Sequence, residues 1–213
     1  MNQVLLINAS AQGTASHANR LALDLVACLR QAHPALALVE RPVGTDPLPA
    51  LSQAYVQALT TTTPFDAPEL ALSETLIREL EQSDALLIAT PLHNFTLPAA
   101  LKLWIDYVLR IHRTFQSRAE GKLGLLADRP VYVLVGSGGF HQGPRAGQPD
   151  FLTPYLRHAL NTLGLFNIHF FYLQGLVFGD EAVRQTIDAN RALLAQQPLF
   201  SRLADPHHLG VLP

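Results

Sequence analysis

The segment Asn8-Ala9-Ser10-Ala11-Gln12-Gly13-Thr14-Ala15-Ser16-His17-Ala18-Asn19 is rich in small and hydroxyl residues and runs directly into helical spacing. Backbone amides at a helix start, the macrodipole and serine or threonine hydroxyls together make a site for a phosphate. It contains no lysine, which excludes a Walker loop, and no G-x-G-x-x-G, which excludes a dinucleotide fingerprint. An uncharged cradle of this kind suits a monophosphate dianion held by hydrogen bonds. Part of the pattern has a plainer explanation, because Ser16 also serves as a helix N-cap. In a second segment, Thr90-Pro91-Leu92-His93-Asn94-Phe95-Thr96-Leu97-Pro98, two prolines stiffen a polar and aromatic centre that can line a flat heterocycle. A third, Gly136-Ser137-Gly138-Gly139-Phe140-His141, lets backbone approach a planar ligand and leaves amides free to donate. His141 adds a donor that can carry charge near neutral pH.

These segments need a scaffold that brings them together. Val4 to Ile7, Ala85 to Ala89, Val131 to Val135 and Ile168 to Leu173 are short continuous apolar runs, the pattern of parallel strands buried on both faces. Leu36 to Val39 is weaker and reads as an edge strand. Between the runs, apolar residues recur at helical spacing: Leu21, Leu25, Cys28 and Leu29; Leu72, Leu76 and Leu80; Leu97, Leu101, Trp104, Ile105 and Val108; Leu152, Leu156, Leu160 and Leu163; Val183, Ile187 and Leu194. Pro98 is expected in the first turn of the third set. Alternation of this kind predicts a doubly wound α/β fold, a flavodoxin-like three-layer sandwich with five parallel strands in the order 2-1-3-4-5. All three segments then follow strand ends at the point where strand order reverses, where ligands bind in such sheets.

Pro42 to Pro49 reads as a loop, Thr60 to Pro68 as a loop or the entry to the next helix, and Gln116 to Arg129 as a long connection of the sort that more often has a function than not. A single domain over residues 1–213 is expected, with Asp205 to Pro213 as a poorly ordered tail.

The chain is 48% hydrophobic and only 15% charged, against roughly 25% charged in average proteins. That much apolar surface excludes disorder. The 15 basic and 17 acidic residues give a formal charge of -2, which supplies no basic field for nucleic acid. It also supplies no strongly acidic face for docking as an electron carrier. No run of roughly 18 uninterrupted apolar residues is present, so no membrane span is expected. The start, Met1-Asn2-Gln3, lacks the positive charges that open a signal peptide, and the lone Cys28 suits a reducing compartment; a cytoplasmic location is expected. The nine histidines show no metal-ligand spacing, and no G-x-S-x-G elbow appears.

The chain resembles the flavodoxin-like FMN-dependent NADH:quinone oxidoreductases known as azoreductases. The matching pieces are Val4 to Ser10 with Ser16 to Asn19, Thr90 to Ala99, Leu101-Lys102, Trp104-Ile105-Asp106, Arg110, Thr114-Phe115, Gly138 to His141 and Thr153 to Leu156. The resemblance implies a homodimer with one FMN per subunit. NADH or NADPH would reduce it, and a quinone or azo compound would then take the two electrons in a ping-pong cycle. It also implies that Ser10, Ser16, His17 and Ala18 surround the FMN phosphate. Pro91, Leu92, His93, Asn94 and Phe95 would run along the isoalloxazine, with the Asn94 amide near N5. Gly136, Ser137, Gly138 and Gly139 would face the pyrimidine end. Departures from the family are Ala18, where serine is usual, His93, where tyrosine is frequent, and Gly136-Ser137, where serine then arginine is common.

Negative charge arriving at the flavin's N1–C2 carbonyl end calls for fixed donors there. The Gly138 and Gly139 amides and His141 are the candidates, with His141 and Asn94 as the catalytic pair. Phe115 and Phe140 are candidate walls of the substrate slot. An NADPH-dependent FMN reductase and a non-catalytic flavodoxin-type carrier are the competing readings.

Overall fold

The structure is a computed structural model that describes residues 1–204; the expected tail from Asp205 to Pro213 lies outside the described residues. The apolar runs become strands β1 (Gln3–Asn8), β3 (Ala85–Pro91), β6 (Val131–Gly136) and β7 (Ile168–Leu173), with β2 (Ala37–Arg41) at one edge. They form one parallel sheet in the order β2-β1-β3-β6-β7, which is 2-1-3-4-5 counted within the sheet. The register places Asn8 beside Ala89 and Pro91 beside Gly136, so the three loops leave the sheet side by side.

Alternate side chains of each strand feed two cores. Leu5, Ile7, Leu86, Ile88 and Val133 pack under α3 (Ala71–Gln82), α4 (Ala99–Val108) and α5 (Leu152–Leu163). Val4, Leu6, Leu87 and Leu134 pack under α1 (His17–Ala32), with Leu194 of α6 (Asp180–Ala195) and Phe200 closing the same layer. The layers are therefore helix, sheet, helix, as the alternation of apolar runs requires. No helix among the described residues is long and apolar enough to cross a membrane.

Two elements were not expected. The helix α2 (Gln53–Thr60) is capped by Ser52, whose side chain accepts from the Tyr55 amide, and it buries only Tyr55. Within the long Gln116 to Arg129 connection, β4 (Phe115–Arg118) and β5 (Gly121–Gly124) form an antiparallel hairpin. This hairpin sits on the end of α5 through two glycines. A Cβ at Gly124 would lie 2.1 Å from the Gly164 nitrogen, and Gly164 itself closes the helix at φ 106°, a left-handed conformation that disfavours other residues. Pro98 is the N-cap of α4 rather than a residue of its first turn.

Candidate functional site

The end of the β1 strand is where the cradle is built. Ser10 donates its amide to Asn8 Oδ1 (3.1 Å), and Ser10 Oγ accepts from the Gln12 amide (3.2 Å). This turn leads into α1, where Ser16 Oγ accepts from the Asn19 amide at 3.4 Å. The first four amides of a helix have no partner within it. Ser16 takes those of Asn19 and Arg20, which leaves those of His17 and Ala18 without a partner among the described residues, at the positive pole of the helix. Ser16 is thus both the cap and part of the cradle; the two explanations of this residue are compatible.

Gly44, from the loop after β2, seals the cradle from below. Its amide donates to Asn8 O (3.0 Å), and a Cβ on it would lie 2.4 Å from the carbonyl carbon and oxygen of Ser10. Gly44→Ala must push the Ser10 turn upward, an overpacking cost of about 1–3 kcal/mol. For the FMN that the resemblance implies, the expected result is affinity weakened about 10- to 100-fold, since each 1.4 kcal/mol is tenfold, with the sheet intact. Fluorescence titration of the variant with FMN checks this, and an unchanged dissociation constant would show that the cradle yields freely.

The loop after β3 folds into a two-residue hairpin turn. His93 and Thr96 exchange both backbone hydrogen bonds (2.8 and 3.1 Å) around Asn94 (φ 47°) and Phe95 (φ 73°). Asparagine tolerates left-handed backbone, but for phenylalanine it is strained, by about 1–3 kcal/mol of the kind that persists at functional sites. The Phe151 amide holds this tip through Phe95 O (2.9 Å), on the residue that precedes α5.

The glycine loop after β6 is fixed from β7. Ser137 donates its amide to Leu173 O (2.9 Å), while Gln174 Oε1 accepts from both the His141 and Gln142 amides (2.7 and 2.8 Å). The Gly138 and Gly139 amides take part in no hydrogen bond among the described residues. Ser137 Oγ spends its one hydrogen on Gly139 O (2.8 Å), so in its 3.1 Å contact with His141 it accepts from Nδ1. Burial lowers the His141 pKa from its ordinary 6.5, opposed by Asp150, so near pH 7 the ring is neutral. Its Nε2 is consequently a bare acceptor, buried and without a partner among the described residues.

Between the three loops lies a cleft of about 610 Å³, within the range of small-molecule sites. Of the residues expected from the sequence, it is lined by Ser10, Ser16, His17, Ala18, Pro91, Leu92, His93, Gly136, Ser137 and Gly138. Asn94 and Phe95 stand at the exposed tip beside the wall residue His93. Gly139 and His141 lie behind Ser137 and Gly138 rather than on the wall. Phe140 stacks on Phe178 (5.7 Å), next to the wall residue Val177, and Arg145 lies over its ring at 4.0 Å. Phe115 is buried at the start of β4 beneath Lys122 and is not among the walls of this cleft.

Sequence reasoning missed Gly44, Ala100, Leu176 and Val177 as walls. The end of the edge strand pointed to Gly44, and the apolar run through Phe178 held the signal for the last two. The walls include no Asp, Glu, Lys or Arg, so no fixed charge repels a phosphate. Spare amides at one end, a glycine loop at the other and apolar Leu92, Leu176 and Val177 between them fit a planar heterocycle carrying a phosphate.

Such a sheet, with its cleft at the strand-order reversal, defines a flavodoxin-like protein, and the family model for the flavodoxin-like fold matches residues 2–197. The chain is 71% identical over 203 residues to FMN-dependent NADH:quinone oxidoreductase 4 of Pseudomonas fluorescens, covering 95% of this chain and 98% of that one. It is 51% identical to FMN-dependent NADH:quinone oxidoreductase 5 of Burkholderia lata, with 96% and 98% covered. The chain belongs to the family of FMN-dependent NADH:quinone oxidoreductases with this flavodoxin-like fold. Among solved structures, an FMN-dependent NADH-azoreductase from Bacillus anthracis in complex with FMN matches with a TM-score of 0.77 at 21% identity, covering 96% of this chain and all (100%) of the other. An azoreductase from Bacillus anthracis str. Sterne matches with a TM-score of 0.75 at 24% identity, covering 89% and 95%. At these identities the likeness is one of fold.

Proposed function

We infer that this protein is an FMN-dependent oxidoreductase that transfers two electrons from NADH to quinones, with aromatic azo compounds as further acceptors. The observation that carries this reading is the convergence of three strand-end loops on one uncharged cleft in a chain 71% identical to a quinone oxidoreductase. FMN supplies the redox chemistry, accepting a hydride from the nicotinamide donor and yielding two electrons to the acceptor. The chain's own groups bind and orient it. Ser10 and Ser16 with the His17 and Ala18 amides would hold the phosphate, while Pro91 to Phe95, with the Asn94 amide among them, would flank the ring. Gly136 to Gly139 present backbone dipoles at the far end.

Donors fixed where negative charge develops act without reorganising, which makes them effective in a site sheltered from water. His141 contacts this loop through Ser137 and has a buried bare Nε2; in this reading it would take a proton from water as negative charge developed on the flavin, and so become a charged donor behind the loop. Phe140, held by contacts with Phe178 and Arg145, forms one side of the acceptor slot in this reading. In this reading the protein works as a cytoplasmic homodimer; exposed Phe95, Phe151, Val177 and Phe178, all near the carboxyl ends of the strands, offer apolar surface for a contact.

The purified protein is expected to be yellow, to bleach when NADH is added without oxygen, and to regain its colour on addition of a quinone. A protein that stays colourless in excess FMN would refute the reading. A bound flavin that NADH cannot bleach would point instead to the carrier alternative.

A further inference from the structure

Arg20 lies in the first turn of α1, where the macrodipole favours anions over cations. That turn contains no acidic residue, whereas α6 opens with Asp180 and Glu181. The guanidinium nevertheless folds back over the helix start. Its Nη2 donates to Ala15 O at 3.4 Å and to His17 Nδ1 at 2.9 Å. Among the described residues Arg20 forms no ion pair, and Asp24, one turn further on, pairs with Arg191. A cation held at the positive pole of a helix by a carbonyl and an imidazole has an electrostatic deficit, and an anion alongside removes it. His17 lines the cleft, so the place for that anion is the phosphate cradle.

The hydrogen-bond chemistry of the pair points the same way. Arginine can only donate, so His17 Nδ1 accepts and the ring is neutral with its proton on Nε2. Burial first, and then Arg20, hold the His17 pKa below the ordinary 6.5, which keeps that tautomer in place near pH 7. Arg20 thus brings a positive charge to the cradle and fixes His17 as an Nε2–H donor. Ala18, the adjacent wall residue, offers an amide and no hydroxyl.

We propose that Arg20 is the charge partner of the flavin's phosphate and sets this protein's preference for FMN over riboflavin. The proposal rests on the FMN reading above and assigns a specificity role to a residue outside the walls of the cleft. The interaction is an attraction across partly solvated space, worth about tenfold in affinity. It weakens as salt is raised, because the guanidinium is exposed.

The test is titration of flavin-free protein with FMN and with riboflavin, followed by quenching of flavin fluorescence at low and high salt. Arg20→Gln is expected to lose about tenfold for FMN with no change for riboflavin, and the salt dependence of FMN binding should shrink with it. Arg20→Lys, which keeps the charge, should retain most of the discrimination. Melting curves of each variant verify that the exposed substitution leaves the fold intact. Equal losses for both flavins, or no loss for either, would overturn the proposal while leaving the FMN reading in place. Equal wild-type affinity for the two flavins would do the same. Wild-type protein that takes neither flavin would instead bring down the functional reading, and this proposal with it.

Discussion

His141→Asn is expected to slow reduction of the bound flavin by NADH about 10²–10³-fold, the scale of loss when a donor to developing charge is removed, since Nε2 becomes such a donor once protonated. The asparagine amide nitrogen reaches the place of Nδ1, so Ser137 Oγ keeps its hydrogen-bond donor and the loop its shape. Only Nε2 disappears. His141→Gln does the reverse, placing an amide near Nε2 and leaving Ser137 Oγ unmatched, and should recover part of the rate. Stopped-flow absorbance under single-turnover conditions separates this step from oxidation by the quinone. Flavin affinity should be unchanged in the asparagine variant, because Ser137 and Gly138 remain the groups at the wall.

The surroundings of His141 set the sign of its pH dependence. Tyr172 meets the ring edge-on at 5.3 Å, and Asp150 is the charged group that pulls its pKa upward. Burial alone would raise the Asp150 carboxyl, but hydrogen bonds from Thr153 and Gln142 outweigh it and hold the group in its anionic form. Burial of His141 wins over Asp150, so its folded-state pKa lies below the ordinary 6.5. Between those two values the unfolded chain binds more protons than the folded one. Stability from this residue is therefore present above pH 6.5 and lost as pH falls through the folded value. His17 has the same sign. Melting temperature should fall on acidification in wild type and fall less in His141→Asn. If that variant reduces its flavin at the wild-type rate, Nε2 has no part in the chemistry.

What the sequence discloses about this molecule depends on how local the cause is. Val4 to Ile7 and Val131 to Val135 read as strands because both their faces are buried, which leaves no polar alternation to confuse them. The edge strand read weakly for the opposite reason, since none of its five residues is fully buried. α2 escaped notice because one buried tyrosine in eight residues leaves no periodic face. The β4–β5 hairpin escaped because its place is fixed by Gly124 meeting Gly164, forty residues away in sequence.

The cradle and glycine loop were legible in their own hydroxyls and glycines. Gly44, Leu176 and Val177 were not, because neighbouring strands carry them to the cleft. Asn94-Phe95 was read as a stiff segment, but a left-handed pair with phenylalanine in it runs against local preference. Such conflicts arise where tertiary contacts, here the Phe151 amide on Phe95 O, override the chain's own bias. The tautomers of the two histidines required partners that only the fold supplies: arginine for His17, a serine with its hydrogen already committed for His141.

Glu74→Leu should be the most destabilising of the single substitutions, by about 3–5 kcal/mol, because it strands a buried cation. Glu74 on α3 accepts from Arg110 Nη2 and, at 3.2 Å with both oxygens, from Arg113 Nε. The Arg110 side chain is only 2% exposed and that of Glu74 7%, so neither can recover its hydration when the other is removed. Arg113 keeps a second carboxylate in Glu81, at 2.6 and 2.8 Å, and survives the change; Arg110 retains Ser73 Oγ and the face of the Phe65 ring at 5.1 Å, but no carboxylate among the described residues. The consequence reaches beyond one pair. The Arg110 amide donates to Thr114 Oγ1, and Thr114 in turn holds Val108 O and leads into β4, so the cluster ties the end of α4 to the hairpin. Removing both charges with Glu74→Leu and Arg110→Met should restore most of the loss, since a buried ion pair gains little over apolar groups of similar volume. Denaturant melts of the two single variants and the double variant form the cycle that measures this. A Glu74→Leu protein as stable as wild type would mean that water reaches Arg110. A double variant no better than the single would mean that the cluster supports α4 by its shape rather than by its charge.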